Sequence, residues 1–178
     1  MKIVEVREAS SSVDLESIRI LLREYAGHLN ACVGAEHICM GSYEEELAGL
    51  PGAYSPPEGT LLLASDGGEP AGCGALKPLS PSRILDAAEV ACEMKRLWVR
   101  PQFQGRGLGR KLAAALVHYA RKQGYTAMYL DTIPAAMQTA NRIYTSLGFE
   151  QVERYGTNPL LGVEPALDVK FYRCSLKT

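Results

Sequence analysis

The chain has no CxxC pair, although it carries five cysteines, Cys32, Cys39, Cys73, Cys92 and Cys174. Their scattered spacing excludes the paired ligands of a structural zinc site, and no metal site is expected. Cys73 and Cys92 sit in apolar, strand-like runs and read as small buried hydrophobes. Reduced thiols are therefore expected, in a cytosolic setting. A basic excess is also missing. Nineteen Lys and Arg stand against 20 Asp and Glu, a formal net charge of -1, which argues against a general nucleic-acid binder. No stretch approaches the ~18 apolar residues of a membrane-crossing helix. Residues 1–7 interrupt their apolar pattern with charges and do not read as a signal peptide. These absences point to the cytoplasm and to no membrane partner. His28, His37 and His118 fall into no pattern and receive no role. There is no repeat, low-complexity tract or linker, so residues 1–178 read as a single domain.

What is present is a regular alternation of strand and helix signals. Residues 2–8 alternate like a strand. Ser11 and Asp14 form a capping-box-like start, followed by Leu15, Ile18, Leu22, Tyr25 and Leu29 at helical spacing. Ser42 with Glu45 predicts a short second helix that stops before Pro51-Gly52. Residues 54–59 read as a loop. Thr60 to Ala64 and Ala71 to Leu76 read as strands around an Asp66-Gly67-Gly68 turn, and Pro78 to Arg83 as a loop. Glu89 to Val99 is a long strand. Leu108, Leu112, Ala115, Leu116 and Tyr119 stripe the next helix, which ends near Gly124. Ala127 to Leu130 is a strand. Pro134 opens a helix with Met137, Ala140, Tyr144 and Leu147 on one face and Gly148 as its stop. Phe149 to Val152 and Leu167 to Cys174 close the series. The order predicts a mixed α/β fold.

The segment with the most chemistry runs from Arg100 to Lys111. It joins a strand to a helix through Gln104, Gly105, Arg106, Gly107, Leu108, Gly109 and Arg110. Glycines admit a ligand close to backbone amides, and a helix start offers unpaired N–H groups and partial positive charge. Such a turn suits a pyrophosphate. No GxxxxGK[ST] string occurs, which excludes a P-loop. Gly105, Gly107 and Gly109 give GxGxG, one residue short of the dinucleotide fingerprint, although Asp131 after the next strand mimics that motif's ribose-binding acid. The third pattern, Q/R-x-x-G-x-G/A, is matched by Gln104, Gly107 and Gly109.

That third pattern is the pyrophosphate loop of the GNAT superfamily of N-acetyltransferases, which the chain resembles from Glu93 to Phe149. Residues 93–101 look like the strand before the loop. Asn141 to Phe149 resembles the family's N-x-x-x-Y-x-x-x-G-F motif. Residues 45–52, 92–97 and 155–159 are similar to a group of uncharacterised bacterial acetyltransferases. The resemblance implies a mostly antiparallel sheet flanked by helices and splayed centrally to admit CoA. It implies acetyl-CoA as co-substrate and an amine as acceptor, with homodimerisation left open.

Direct acyl transfer needs a deprotonated amine, a polarised thioester carbonyl, a proton for the departing thiolate and close alignment. Glu93 is the candidate general base, at the offset from Gln104 where several family members place a glutamate. Its alternative is a structural ion pair with Lys95, Arg96 or a neighbouring arginine. Tyr144 is the candidate general acid, against a plain core tyrosine. Asn141, one turn earlier on the same face, is implied to hold the pantetheine arm or pyrophosphate. An amide of the strand segment Leu97-Trp98-Val99 is implied to face the carbonyl oxygen, at a bulge the sequence does not reveal. The Trp98 ring itself is expected in the core. Glu44-Glu45-Glu46 reads as a solvated helix face, with attraction of a cationic amine substrate as its alternative. Two other functions compete. A nucleotide-dependent oxidoreductase would need GxGxxG and a larger sheet; a non-catalytic CoA-binding regulator would not need Glu93 and Tyr144. The acceptor would contact the early helices and the loops at 51–59 and 155–165, which hold Tyr25, Tyr54, Tyr155 and Asn158.

Overall fold

The computed structural model describes residues 4–33, 40–156 and 168–177. Seven strands form one sheet: β1 (Val4–Glu8), β2 (Thr60–Asp66), β3 (Glu69–Leu79), β4 (Ala91–Val99), β5 (Ala127–Thr132), β6 (Glu150–Val152) and β7 (Lys170–Ser175). Four helices accompany them: α1 (Ser12–Val33), α2 (Met40–Ala48), α3 (Leu108–Lys122) and α4 (Gln138–Ser146). The strand order is β1-β2-β3-β4-β5-β7-β6. Neighbours are antiparallel except β4 and β5, which run parallel across the α3 crossover. The expected mixed, mostly antiparallel α/β architecture is what the chain adopts.

α1 starts at the expected box. The Asp14 amide donates to Ser11 Oγ at 3.1 Å, and the Ser11 amide donates back to Asp14 Oδ2 at 3.2 Å. Each side chain thus satisfies a helix-end amide that has no intrahelical partner. Ile18, Leu22, Tyr25 and Leu29 of α1 pack with Leu61, Leu63, Cys73 and Trp98 on one sheet face. Leu108, Leu112 and Leu116 of α3 pack with Leu62, Leu76, Cys92, Met94 and Leu97 on the other. Alternate residues of one strand therefore serve two cores, as a pleat with period two requires.

Several boundaries differ from those expected. β3 continues to Leu79 and takes in Pro78, which pairs with Cys92. β2 accompanies β3 only as far as Leu76. Beyond that point β3 has one neighbour, and a proline without an N–H is tolerated on the vacated edge. α2 begins at Met40 rather than Ser42. α4 begins at Gln138, with Pro134 to Met137 in a preceding turn. β5 runs two residues further than expected, to Thr132, supported by its register with β7. The expected positions Cys39, His37, Asn158 and the start of the last strand at Leu167 lie outside the described residues.

Candidate active site

The centre of the site is a break in the pairing of β4. On its β3 side the register passes from Ala75 opposite Lys95 to Cys73 opposite Trp98. β4 thus spends one extra residue at Arg96-Leu97, a β-bulge. Arg96 has φ +60°, the one positive φ among described residues other than glycine. This backbone costs a non-glycine residue about 1–2 kcal/mol. The side chain is held by Glu46, with Nε to Oε1 at 3.0 Å and Nη2 to Oε2 at 2.6 Å. It also lies over the Tyr43 ring, 4.8 Å from the centroid.

The bulge shifts the alternation of the strand. Cys92 and Met94 face α3 before it, and Leu97 faces α3 after it. Glu93, Lys95, Arg96 and Trp98 consequently look to the α1/α2 side, with Lys95 and Arg96 successive on the same face. On its other edge β4 pairs with β5 only through Ala91–Ala127, Cys92–Met128 and Glu93–Tyr129. Both strands continue beyond, to Val99 and Thr132, without pairing to each other. This is the central splay expected from the sequence.

A row of charges crosses the splay. Glu93 is 6% exposed. Its Oε1 accepts the Tyr155 hydroxyl at 3.0 Å and lies 3.5 Å from Lys95 Nζ; its Oε2 lies 3.5 Å from Lys77 Nζ. Lys95 reaches on to Asp131 on β5, at 3.1 Å. Burial pulls the Lys95 ammonium down, but Asp131 and Glu93 outweigh it and its pKa is raised. Lys95 is therefore a fixed cation between two carboxylates. Asp131, which mimicked a ribose-binding acid in the sequence, is engaged here. Glu93 has the lysine contact expected of a structural pair, whereas Arg96 goes to Glu46.

The loop after β4 is open to a ligand. Gly105 and Gly107 have φ of +76° and +77°, and a Cβ added at either would meet nothing within 4 Å. These two glycines serve conformation. Gly109 serves approach, since a Cβ there would come within 3.1 Å of Ile143 Cδ1. α3 begins at Leu108 with no acidic residue in its first turn, which keeps the amide end positive. Leu108 itself is core. Arg106 is turned to Asp66, at 2.6 Å; Arg110 donates to Ser146 Oγ. Gln104 Nε2 donates to Val99 O at 2.9 Å, tying the loop to the end of β4.

The Arg100 amide donates across to Ala71 O of β3 at 2.9 Å. Backbone amides alternate along a strand, so that of Val99 turns to the opposite edge, onto the splay. Trp98 is buried beside Tyr25 and His28, with ring centroids 6.0 and 5.0 Å away. From α4, Tyr144 projects into the core, 4% exposed and 5.9 Å from the Phe149 ring. Burial pushes its phenol up, and Tyr25 and Asp131 push it further. Asn141 Oδ1, one turn earlier, is buried with no hydrogen-bond partner. An orphaned buried acceptor calls for a donor. The open glycine pair, the acid-free helix start, the unpaired strand edges and this orphan fit a ligand that brings phosphates to the loop and an amide N–H to the cleft. Among the described residues, no group of three or more His, Cys, Asp or Glu is placed to hold a metal, and no helix is long and apolar enough to cross a membrane.

Glu46 corrects the sequence reading. It is no solvated acid but half-buried, bound to Arg96 and to the Tyr54 hydroxyl at 2.7 Å. Burial would raise its carboxyl, yet Arg96 outweighs this and holds it low. Lys77 carries no sequence signal of its own, and Glu46, Arg96 and Tyr155 take partners other than those their local sequence suggests. They come from β3, α2, the bulge and the segment after β6, and no local spacing relates them.

Residues 18–149 match the acetyltransferase (GNAT) family. An uncharacterized N-acetyltransferase of Schizosaccharomyces pombe is 34% identical over 151 residues, spanning 84% of this chain and 85% of that protein. An acetyltransferase of the GNAT family from Staphylococcus aureus shares the fold with a TM-score of 0.72 at 17% identity, over 98% of this chain and 100% of that one. The PaiA N-acetyltransferase of Thermoplasma acidophilum, solved in complex with coenzyme A, superposes with a TM-score of 0.69 at 17% identity, over 97% and 99% of the two chains. The chain belongs to the GNAT family of acetyltransferases. It is an N-acetyltransferase that uses acetyl-CoA as its acyl donor.

Proposed function

We propose that this enzyme acetylates a primary amine by direct attack within a ternary complex, acting as one domain in the cytoplasm. The observation that carries the reading is the parting of β4 from β5 directly after Glu93–Tyr129, with the glycine loop at the end of the parted strand. Acetyl-CoA supplies an activated thioester carbonyl. The Gly105–Gly109 loop and the start of α3 hold its phosphates. The buried Oδ1 of Asn141 accepts from its amide arm. The Val99 amide, turned onto the splay, faces the carbonyl oxygen where charge develops.

Glu93 draws the proton from the incoming ammonium, directly or through water. Lys95 and Tyr155 fix the carboxylate in one orientation, which supports proximity rather than affinity. Tyr144, kept protonated by burial, returns a proton to the departing sulfur. Because donor and acceptor sides meet at one opening in one sheet, no covalent enzyme intermediate is needed.

The experiment is thiol release from acetyl-CoA against a broad panel of primary amines, with calorimetric CoA binding in parallel. Amine-dependent release is expected. Tight CoA binding with no release for any amine would leave a CoA-binding regulator instead.

A further inference from the structure

A cavity of about 260 Å³ lies beside the row of charges, lined by Glu46, Leu50, Pro51, Ala53, Tyr54 and Lys77 among others. It is just below the roughly 300 Å³ at which small-molecule sites begin, so it suits a small ligand. Its two charged lining residues are not equivalent. Both oxygens of Glu46 are taken by Arg96, and the Tyr54 hydroxyl adds a third bond. Lys77 has three donors on its ammonium but one ion-pair partner among the described residues, Glu93 Oε2 at 3.5 Å. That distance is long for a charged hydrogen bond. The unsatisfied charge in this cavity is therefore positive.

Glu93 shows a matching asymmetry. Oε1 is occupied by Tyr155 and Lys95, whereas Oε2 meets Lys77 alone. Oε2 is the oxygen with acceptor capacity left, and it faces Lys77, which lines the cavity. A ligand that meets both the open donor of Lys77 and the open acceptor of Glu93 carries one charge of each sign. Leu50, Pro51, Ala53 and the Tyr54 ring make the remaining wall largely apolar.

We infer that this cavity seats a zwitterionic acceptor, an amino acid with a hydrocarbon side chain, its carboxylate on Lys77 and its amine at Glu93 Oε2. The inference rests on the acetyl-transfer reading above and deepens it. Neutral amines lose the Lys77 contact, and longer polycations meet no unpaired carboxylate there.

The test compares leucine and methionine with leucinamide and methioninamide as acceptors of the full-length enzyme under saturating acetyl-CoA. The amides have the less basic amine, so chemistry alone favours them. The free acids should nevertheless show kcat/KM higher by about tenfold or more, the size of one charge-assisted contact. Lys77→Met should collapse that ratio through KM, and Lys77→Arg should restore most of it. Calorimetry of leucine binding in the presence of CoA reads the same site without turnover, and Ala53→Trp, which fills the cavity, should abolish that binding while CoA still binds. Equal or better use of the amides, or leucine binding unchanged in Lys77→Met and Ala53→Trp, overturns the inference while amine acetylation stands. Absence of turnover with every amine overturns the acetyl-transfer reading itself, and this inference with it.

Discussion

The Tyr155 hydroxyl donates to Glu93 Oε1 at 3.0 Å. The bond joins the segment after β6 to the middle of β4, and with Lys95 it fixes one side of the carboxylate. Glu93→Gln should lower kcat by ~10²–10⁴-fold and remove the rise of rate with pH. Tyr155→Phe should have a smaller effect, because both lysines remain. A pH–rate profile of the three proteins under saturating acetyl-CoA checks this. A Glu93→Gln enzyme with the parent's rate and profile would make Glu93 a structural ion partner.

Tyr144→Phe removes a hydroxyl and keeps the ring against Phe149. If the phenol protonates the leaving thiolate, kcat should fall by ~10²–10⁴-fold, with CoA affinity and melting temperature little changed. Stopped-flow turnover and calorimetric binding separate the two. An unchanged kcat with a good acceptor reduces Tyr144 to packing.

The glycines of the loop should fail in different ways. Gly107→Val forces a branched side chain to φ +77°, costing about 1–2 kcal/mol and screening the amides from phosphate. The protein should fold with a modestly lower Tm, and CoA should no longer raise it. Gly109→Val instead drives atoms into Ile143, and its main symptom should be lost stability from overpacking. Thermal melts with and without CoA distinguish them. A Gly107→Val protein with normal CoA stabilisation would move the phosphate site elsewhere.

Acid should unfold the protein partly through Asp14. Arg7 bonds both oxygens, at 2.7 and 2.6 Å. This guanidinium chiefly, against burial and with help from Ser11 and Ser10, holds the carboxyl far below the usual range. The folded pKa lies under the unfolded value of about 3.9. The contribution is therefore complete above that unfolded value and is lost as pH falls towards the folded one. Asp14→Asn should lower Tm at about pH 7, and the deficit should shrink towards about pH 3. A deficit independent of pH would remove Asp14 from the acid-sensitive set.

What the sequence disclosed was local. The glycine turn and the Ser11–Asp14 box each follow from spacing within one element and are present in the fold; the stripe through Tyr144 is shorter than expected, because α4 begins at Gln138 and Met137 packs on the opposite face of the sheet. The bulge at Arg96-Leu97 depends on how β4 aligns with β3, which spacing along β4 does not encode. Glu46 was misread because a run of three glutamates resembles a wet helix face; its burial depends on Arg96, 50 residues later. The site's charges likewise come from segments as far apart as Glu93 and Tyr155, whose meeting is a matter of topology. Pro78 read as a loop residue because its tolerance in β3 depends on where β2 begins.

The parting of β4 and β5 has a consequence beyond chemistry. Proteins guard the borders of their sheets because a bare backbone ladder recruits any passing strand. Here two such borders lie inside one sheet, on β4 and β5 beyond Glu93 and Tyr129, where neither strand pairs with the other. On the proposed reading, an arm that enters with its own amide groups at intervals supplies the partners each border lacks, so the donor completes the sheet that admits it.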